Sequence, residues 1–243
     1  MKKHTLLTLA LLSATVAFAQ APAPKKAGIE EKGYVWNAQE GEKIEALHKK
    51  GDVKAGKEAY EVCGACHLPS GAGRPDGTFP QLAGQHTTVL IKQMADIRAG
   101  LRDNPTMYPF AITLTDPQEL ADAAAYISGL CIPQDHGTYD GKDAAIQVAK
   151  GKELYEKECL NCHGKTGEGD KEKFYPVIAG QHYKYLLRQM TQIRDGKRRN
   201  ANPDMVKIIK KYDDTQLVAI SAYQSSLIMP GSMCKAKAGG KKK

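Results

Sequence analysis

Two pentapeptides carry the chemistry of this sequence, Cys63-Gly64-Ala65-Cys66-His67 and Cys159-Leu160-Asn161-Cys162-His163. Two thiols three positions apart, followed at once by an imidazole, form the attachment signature of a c-type haem: each Cys can add across one vinyl group, and the His can turn a ring nitrogen onto the iron. Cys63, Cys66, Cys159 and Cys162 are therefore the candidate covalent anchors, with His67 and His163 the candidate iron ligands, for two covalently bound haem c groups. The competing chemistries are half of a zinc site and a redox dithiol. Neither finds the partner Cys or His pair that zinc-ligand spacing requires.

A haem iron held by one His alone keeps an open face for substrate, peroxide or gas, whereas a second axial ligand makes it an electron carrier. That ligand should be duplicated, as the first is. Met107 and Met205 qualify, each in an Asn-Pro-x-Met segment that must pass around the haem between helices, and a thioether is a soft ligand that favours ferrous iron. Two other pairs are also duplicated. Met94 and Met190 lie on a helical stripe, where Met ordinarily fills gaps in a core. His86 and His182 follow Ala-Gly-Gln at a helix start, which suits a helix-end or interface role better than bis-His ligation.

The elements that position these residues form two repeats. Cys63 and Cys159 lie 96 positions apart, and the same offset carries Pro80 onto Pro176, Ala83-Gly84-Gln85-His86 onto Ala179-Gly180-Gln181-His182, and Gln93-Met94 onto Gln189-Met190. The offset slips to 98 at the Asn-Pro-x-Met segments. Asp52 and Asp143 can cap helices that run into the two pentapeptides. A middle helix shows Leu90, Met94, Ile97 and Leu101 on one face, echoed by Leu186, Met190 and Ile193. A last helix starts at Asp116-Pro117 and carries Leu120, Ala124, Ile127 and Cys131, and its twin starts near Asp213. No alternating strand pattern appears, so the class is all-α: two tandem helical domains, each around one covalent haem.

Lys2 and Lys3, an apolar run from Leu6 to Phe18 and the small residues of Ala17-Phe18-Ala19 read as a secretory signal cleaved near Ala19, which places the mature chain in the periplasm. The expected layout is a signal peptide at 1–19, an N-terminal arm at 20–50 and a first domain at 51–131. A Pro/Gly/Asp-rich linker at 132–142, a second domain at 143–234 and a Lys-rich disordered tail at 235–243 complete it. His48 on the arm and His136 in the linker are expected at the surface. Seven of the eight formal net positive charges are lysines of the signal and the tail, so the folded body is near neutral and a nucleic-acid role has little support. The tail could touch an anionic partner or membrane surface, or merely solubilise the chain end.

From about Asp52 to Leu227 the chain resembles the dihaem cytochrome c4 family. The resemblance is carried by the two pentapeptides, Phe79-Pro80 with Ala83-Gly84-Gln85 and Met107, and Tyr175-Pro176 with Ala179-Gly180-Gln181 and Met205. It implies two fused cytochrome c domains with His/Met haems, in which the Pro80 and Pro176 carbonyls accept the ring N–H of His67 and His163. It also implies that Gly56, Tyr60 and Tyr126, and Gly151, Tyr155 and Tyr223, pack first helix against last. The function implied is shuttling of single electrons between a dehydrogenase or quinol-oxidising complex and a terminal acceptor. The alternatives are a dihaem enzyme of the peroxidase or sulfur-compound dehydrogenase type, which needs a labile distal ligand, or the electron-accepting subunit of one such enzyme.

Two of the six cysteines remain. In an oxidising compartment Cys131 and Cys234 are expected to form a disulfide tying the two domain ends, against the rivals of two buried free thiols or a thiolate haem ligand.

Overall fold

Gly56 and Gly151 set the way each half is built. A Cβ on Gly56 would collide with the Asp122 carbonyl, and one on Gly151 with the Ala219 carbonyl, so at these two points the backbone of the helix leading into the pentapeptide touches that of the last helix. In a computed structural model that describes residues 35–229 and 231–234, the first half comprises α1 (Glu42–Leu47), α2 (Val53–His67), α3 (Thr87–Arg98), α4 (Tyr108–Ala111) and α5 (Pro117–Ser128). The second comprises α6 (Ala144–Glu158), α7 (Leu160–His163), α8 (Tyr183–Arg194), α9 (Pro203–Ile209) and α10 (Asp214–Ser225). The described residues form no strand, only the isolated bridges Ile132–Met233 and Asp170–Tyr175. The signal, the arm before residue 35 and the Lys tail lie outside the described residues.

In each half the helix leading into the pentapeptide crosses the last, α2 on α5 and α6 on α10, with Tyr60 and Tyr126 ring centroids 5.4 Å apart and Tyr155 and Tyr223 5.2 Å apart. The tyrosine hydroxyls buried at these crossings find carbonyl acceptors, Tyr60 on Leu68 (2.8 Å) and Tyr155 on Gly164 (2.7 Å). Leu90, Ile91, Leu120 and Ala124 form the core of the first half. Met190, Ile193, Leu217 and Ile220 form one cluster of the second, and Leu186, Ile178 and Leu227 another.

The caps explain where the helices begin. Asp52 accepts from Lys54 N (2.7 Å) and Ala55 N (3.0 Å), Asp116 from Gln118 and Glu119 N, and Asp213 forms a capping box with Gln216. Asp143 does not cap α6. Its carboxylate is taken by the Tyr139 hydroxyl (2.8 Å) and Gln147 Nε2 (2.7 Å), so the expected cap is replaced by a brace to the preceding turn.

Three expectations about connecting segments change. Ile132, placed in the linker, is fully buried in the second half's core, between the turns at Gly84 and Gly180. His136 is half-buried rather than at the surface, its Nε2 2.6 Å from the Ser225 carbonyl oxygen. Leu101 and Cys131 lie beyond the helices they were assigned to, because α3 ends at Arg98 and α5 at Ser128. His48 is exposed, as expected. The described part of the arm is packed: Trp36 meets Phe174 of the second half edge-on (6.2 Å), and Glu42 pairs with Arg98 (2.9 Å).

Candidate haem sites

Cys63, Cys66 and His67 occupy the last turn of α2. The chain then turns sharply at Leu68 (φ 65°), and Gly73 N–H donates to the His67 carbonyl (2.9 Å), folding the loop back under the ring. His67 is buried, and its Nδ1 lies 2.9 Å from Pro80 O. A carbonyl can only accept, so Nδ1 carries the proton and Nε2 presents its lone pair outward. Phe79 stands edge-on to the imidazole at 6.0 Å. Burial pulls the His67 pKa below its ordinary value and the Pro80 hydrogen bond offsets this in part. The neutral ligand form is therefore favoured.

The second pentapeptide repeats this with one difference. Tyr155 and Cys159 are four positions apart where Tyr60 and Cys63 are three. The additional residue rotates the continuing chain by about 100°, and the helix breaks at Cys159 into α6 and the single turn α7. The break returns the thiols and His163 to the same face. His163 is buried with Nδ1 3.4 Å from Pro176 O, a longer contact than its twin, and Gly169 N–H donates to its carbonyl (2.9 Å).

All four pentapeptide thiols are free, Cys63 and Cys159 buried and Cys66 and Cys162 half-buried. Burial pushes the Cys63 thiol up and the Cys159 thiol up to about 12. A redox dithiol needs the opposite, a thiolate stabilised near neutral pH. Among the described residues no group of three or more His, Cys, Asp or Glu side chains could hold a metal ion.

Both pentapeptides open onto one continuous cavity of about 620 Å³ that runs across the junction between the halves. Its walls are mainly apolar, from Leu90, Ile97 and Leu120 in the first half to Leu186 and Ile193 in the second. Met107 and Met205 both line it. Met107 caps α4, held by Asn104, while Met205 is within α9 rather than on a loop, because Asn202 caps that helix and Pro203 occupies its first position. The repeat offset slips ahead of both helices, where two positions separate Arg102 from Asn104 and four separate Arg198 from Asn202. Met94 and Met190 line the cavity as well. His86 and His182 do not. Each precedes a helix and places Nε2 2.8 Å from a carbonyl of the opposite half, Glu168 for His86 and Ala72 for His182. Those contacts occupy both Nε2 nitrogens, and His182 Nδ1 also accepts from Gly137 N–H (3.0 Å).

Two arginines that the sequence reading did not single out acquire positions here. Arg102 and Arg198 line the cavity at the junction, each bonded to a duplicated glutamine: Arg102 Nη1 to Gln93 Oε1 (2.8 Å), Arg198 Nη1 to Gln189 Oε1 (2.9 Å) and Nη2 to Gln93 Oε1 (2.9 Å). The 96-residue offset relates both pairs, a signal the sequence contained. Beyond the cavity, the structure joins Cys131 to Cys234, Cα–Cα 5.0 Å, beside backbone bonds from Ile132 N to Ser232 O (2.7 Å) and Cys234 N to Ile132 O (2.8 Å).

The Cytochrome c family profile matches residues 53–130 and 148–227, one match for each half. Cytochrome c4 of Azotobacter vinelandii is 34% identical over 199 residues, covering 74% of this chain and 91% of the relative. The thiosulfate dehydrogenase electron acceptor of Stutzerimonas stutzeri is 32% identical over 171 residues, covering 68% and 78%. The crystal structure of reduced recombinant cytochrome c4 from Pseudomonas stutzeri superimposes with a TM-score of 0.64 at 30% identity, covering 74% of this chain and all of that one.

Proposed function

The chain belongs to the cytochrome c family, as a dihaem electron carrier of the cytochrome c4 kind with two covalently bound haem c groups, and from that membership we propose which of its residues do the work. Each haem supplies a one-electron ferric/ferrous couple. Cys63 and Cys66 would anchor the first and Cys159 and Cys162 the second; His67 and His163 would give Nε2 to the irons, and Met107 and Met205 would supply the thioethers. Pro80 and Pro176 hold the imidazole rings in the orientation and tautomer that ligation needs. Arg102 and Arg198, on the cavity wall at the domain junction, would supply positive charge to the haems' anionic carboxylates.

The observation that carries this reading is the shared cavity: two pairs of free thiols, one buried and one half-buried in each, stand beside a neutral imidazole and open onto one mainly apolar space that spans both halves. Two haems held in it would be able to exchange electrons within the protein. With both distal positions filled by Met the chain needs no catalytic residue and is a carrier, not an enzyme. We place it in the periplasm, with domains at 51–131 and 143–234. The signal and the disulfide support that compartment. No helix among the described residues is long and apolar enough to cross a membrane.

The near-infrared spectrum of the oxidised protein tests the assignment. Two intact methionine-to-iron bands with no rapid cyanide or peroxide binding are expected, and one open high-spin haem would move the chain to the dihaem-enzyme class. For the partner, the Stutzerimonas relative named as a thiosulfate dehydrogenase electron acceptor favours a sulfur-compound dehydrogenase as donor over a quinol-oxidising complex. Stopped-flow reduction by each donor class, compared at equal concentration, separates the two.

A further inference from the structure

The Ala-Gly-Gln-His segments of the two halves exchange partners. Gln85 reaches into the second half, where its Oε1 accepts from Val177 N (2.9 Å) and its Nε2 donates to Val177 O (2.9 Å). Gln181 does the same in the first half, Oε1 accepting from Gln81 N (3.0 Å) and Nε2 donating to Gln81 O (2.9 Å). Reversing either amide would set donor against donor, so the orientations are fixed. Each Oε1 also accepts the N–H of the following His, at 3.1 Å in both halves, which holds the side chain extended across the junction.

The bonded N–H groups belong to particular peptide units. Val177 N–H shares its peptide with the Pro176 carbonyl that faces His163 Nδ1, and Gln81 N–H shares its peptide with the Pro80 carbonyl that faces His67 Nδ1. A continuous chain of hydrogen bonds therefore runs from each glutamine, through one peptide group, to the ring N–H of the opposite domain's histidine. Accepting from the N–H end of a peptide makes its carbonyl a stronger acceptor, and a stronger acceptor on Nδ1–H makes the imidazole a more electron-rich ligand. His86 and His182, bonded to the Glu168 and Ala72 carbonyls, hold the same loops from the side.

We infer that Gln85 and Gln181 are positioning residues that act across the domain boundary, each fixing and polarising the peptide that orients the proximal histidine of the other domain. The junction thus sets the two ligands, and each domain tunes its neighbour's site rather than its own. Gln181 is the more buried of the two, and the contact it supports, Pro80 to His67, is the shorter. The inference rests on the reading that His67 and His163 bind iron. Its test therefore begins with the wild-type holoprotein, whose ferric NMR spectrum must show two hyperfine-shifted ring Nδ1–H resonances; their absence would overturn the ligand reading itself.

With that established, the variants are Gln85→Met and Gln181→Met, which keep length and remove both hydrogen bonds. The expected pattern is crossed. Gln85→Met raises the potential of the haem bound at His163 and moves that histidine's Nδ1–H resonance, leaving the haem at His67 in place, and Gln181→Met does the reverse. The expected size is about a threefold change in the reduced-to-oxidised ratio at fixed potential, roughly 30 mV for a one-electron couple. A loosened junction would move both haems alike in either variant, and that result, a shift confined to each variant's own domain, or no shift, overturns the proposal. If a Met variant fails to retain both haems, Gln85→Glu keeps an acceptor facing Val177 N–H and should lower the potential at His163. A rise there also overturns it.

Discussion

Breaking the Cys131–Cys234 bond should destabilise the two halves unequally. The bridge joins residues 103 positions apart, and the loop it closes contains α6 to α10 and none of the first half. For a loop of about 100 residues the chain-entropy relation gives roughly 4.7 kcal/mol at 25 °C, all of it through the unfolded chain. Only unfolding of the second half releases that loop, so the stabilisation falls on that half. Measured bridges commonly deliver about 2–4 kcal/mol, and here the backbone bonds of Ile132 to Ser232 and Cys234 still hold the ends together locally. The double variant Cys131→Ser/Cys234→Ser should therefore accelerate native-state exchange of the buried α10 amides, such as Leu217 and Ile220, by roughly 30- to 700-fold. The α5 amides of Leu120 and Ala124 should change by less than about threefold. Equal acceleration in both helices, or none in α10, would refute the reasoning.

Replacing Met107 or Met205 with Ala should abolish one of the two methionine-to-iron bands while the other remains; an unchanged spectrum would transfer the ligand role to Met94 or Met190, which share the cavity. Gly56→Ala and Gly151→Ala each drive a methyl into a carbonyl of the crossing helix and should cost about 1–3 kcal/mol or more in denaturant unfolding, and an unmoved midpoint would contradict the backbone contact. Burial holds His182 below its usual value of 6.5, against the pull of the Ala72 carbonyl, Asp76 and Asp135, while His136 pushes it further down. Its folded pKa being the lower, the unfolded chain binds more protons below about pH 6.5. The stability it confers is then complete above that pH and is lost as pH falls from there through the lower folded pKa. Denaturant midpoints at pH 5 and 7.5 should converge in His182→Gln, and an undiminished difference would assign the pH dependence elsewhere.

The sequence revealed most of each half and little of the junction. The pentapeptides, the repeat offset and the Asp52, Asp116 and Asp213 caps are local signals, set by residues within a few positions of one another, and they fixed helices and haem anchors together. Asp143 failed as a cap because Tyr139 and Gln147 compete for its carboxylate, a competition visible only once the turn before α6 is folded. Met205 looked like a loop residue because Asn-Pro breaks a helix from behind, yet the same pair starts one in front. His136 read as solvated because Pro, Gly and Asp surround it, whereas Ser225, 89 residues on, supplies its acceptor.

The junction was illegible for a different reason. Duplication shows that Gln85 and Gln181 are equivalent but not whose site each serves, since a pattern repeated in both halves is the same whether contacts form within a half or are exchanged. The exchanged arrangement has a physical advantage. The Val177 and Gln81 peptide groups need partners once the halves meet and water is excluded, because a buried peptide N–H left unpaired is costly. A duplicated glutamine can satisfy the other copy's peptide with the N–H and C=O it already faces, so a single residue type at one repeat position closes both sides. The contacts without a repeat equivalent, Arg199 on Asp103 (2.8 Å) and Trp36 on Phe174, then act on an interface whose register the glutamines have already fixed.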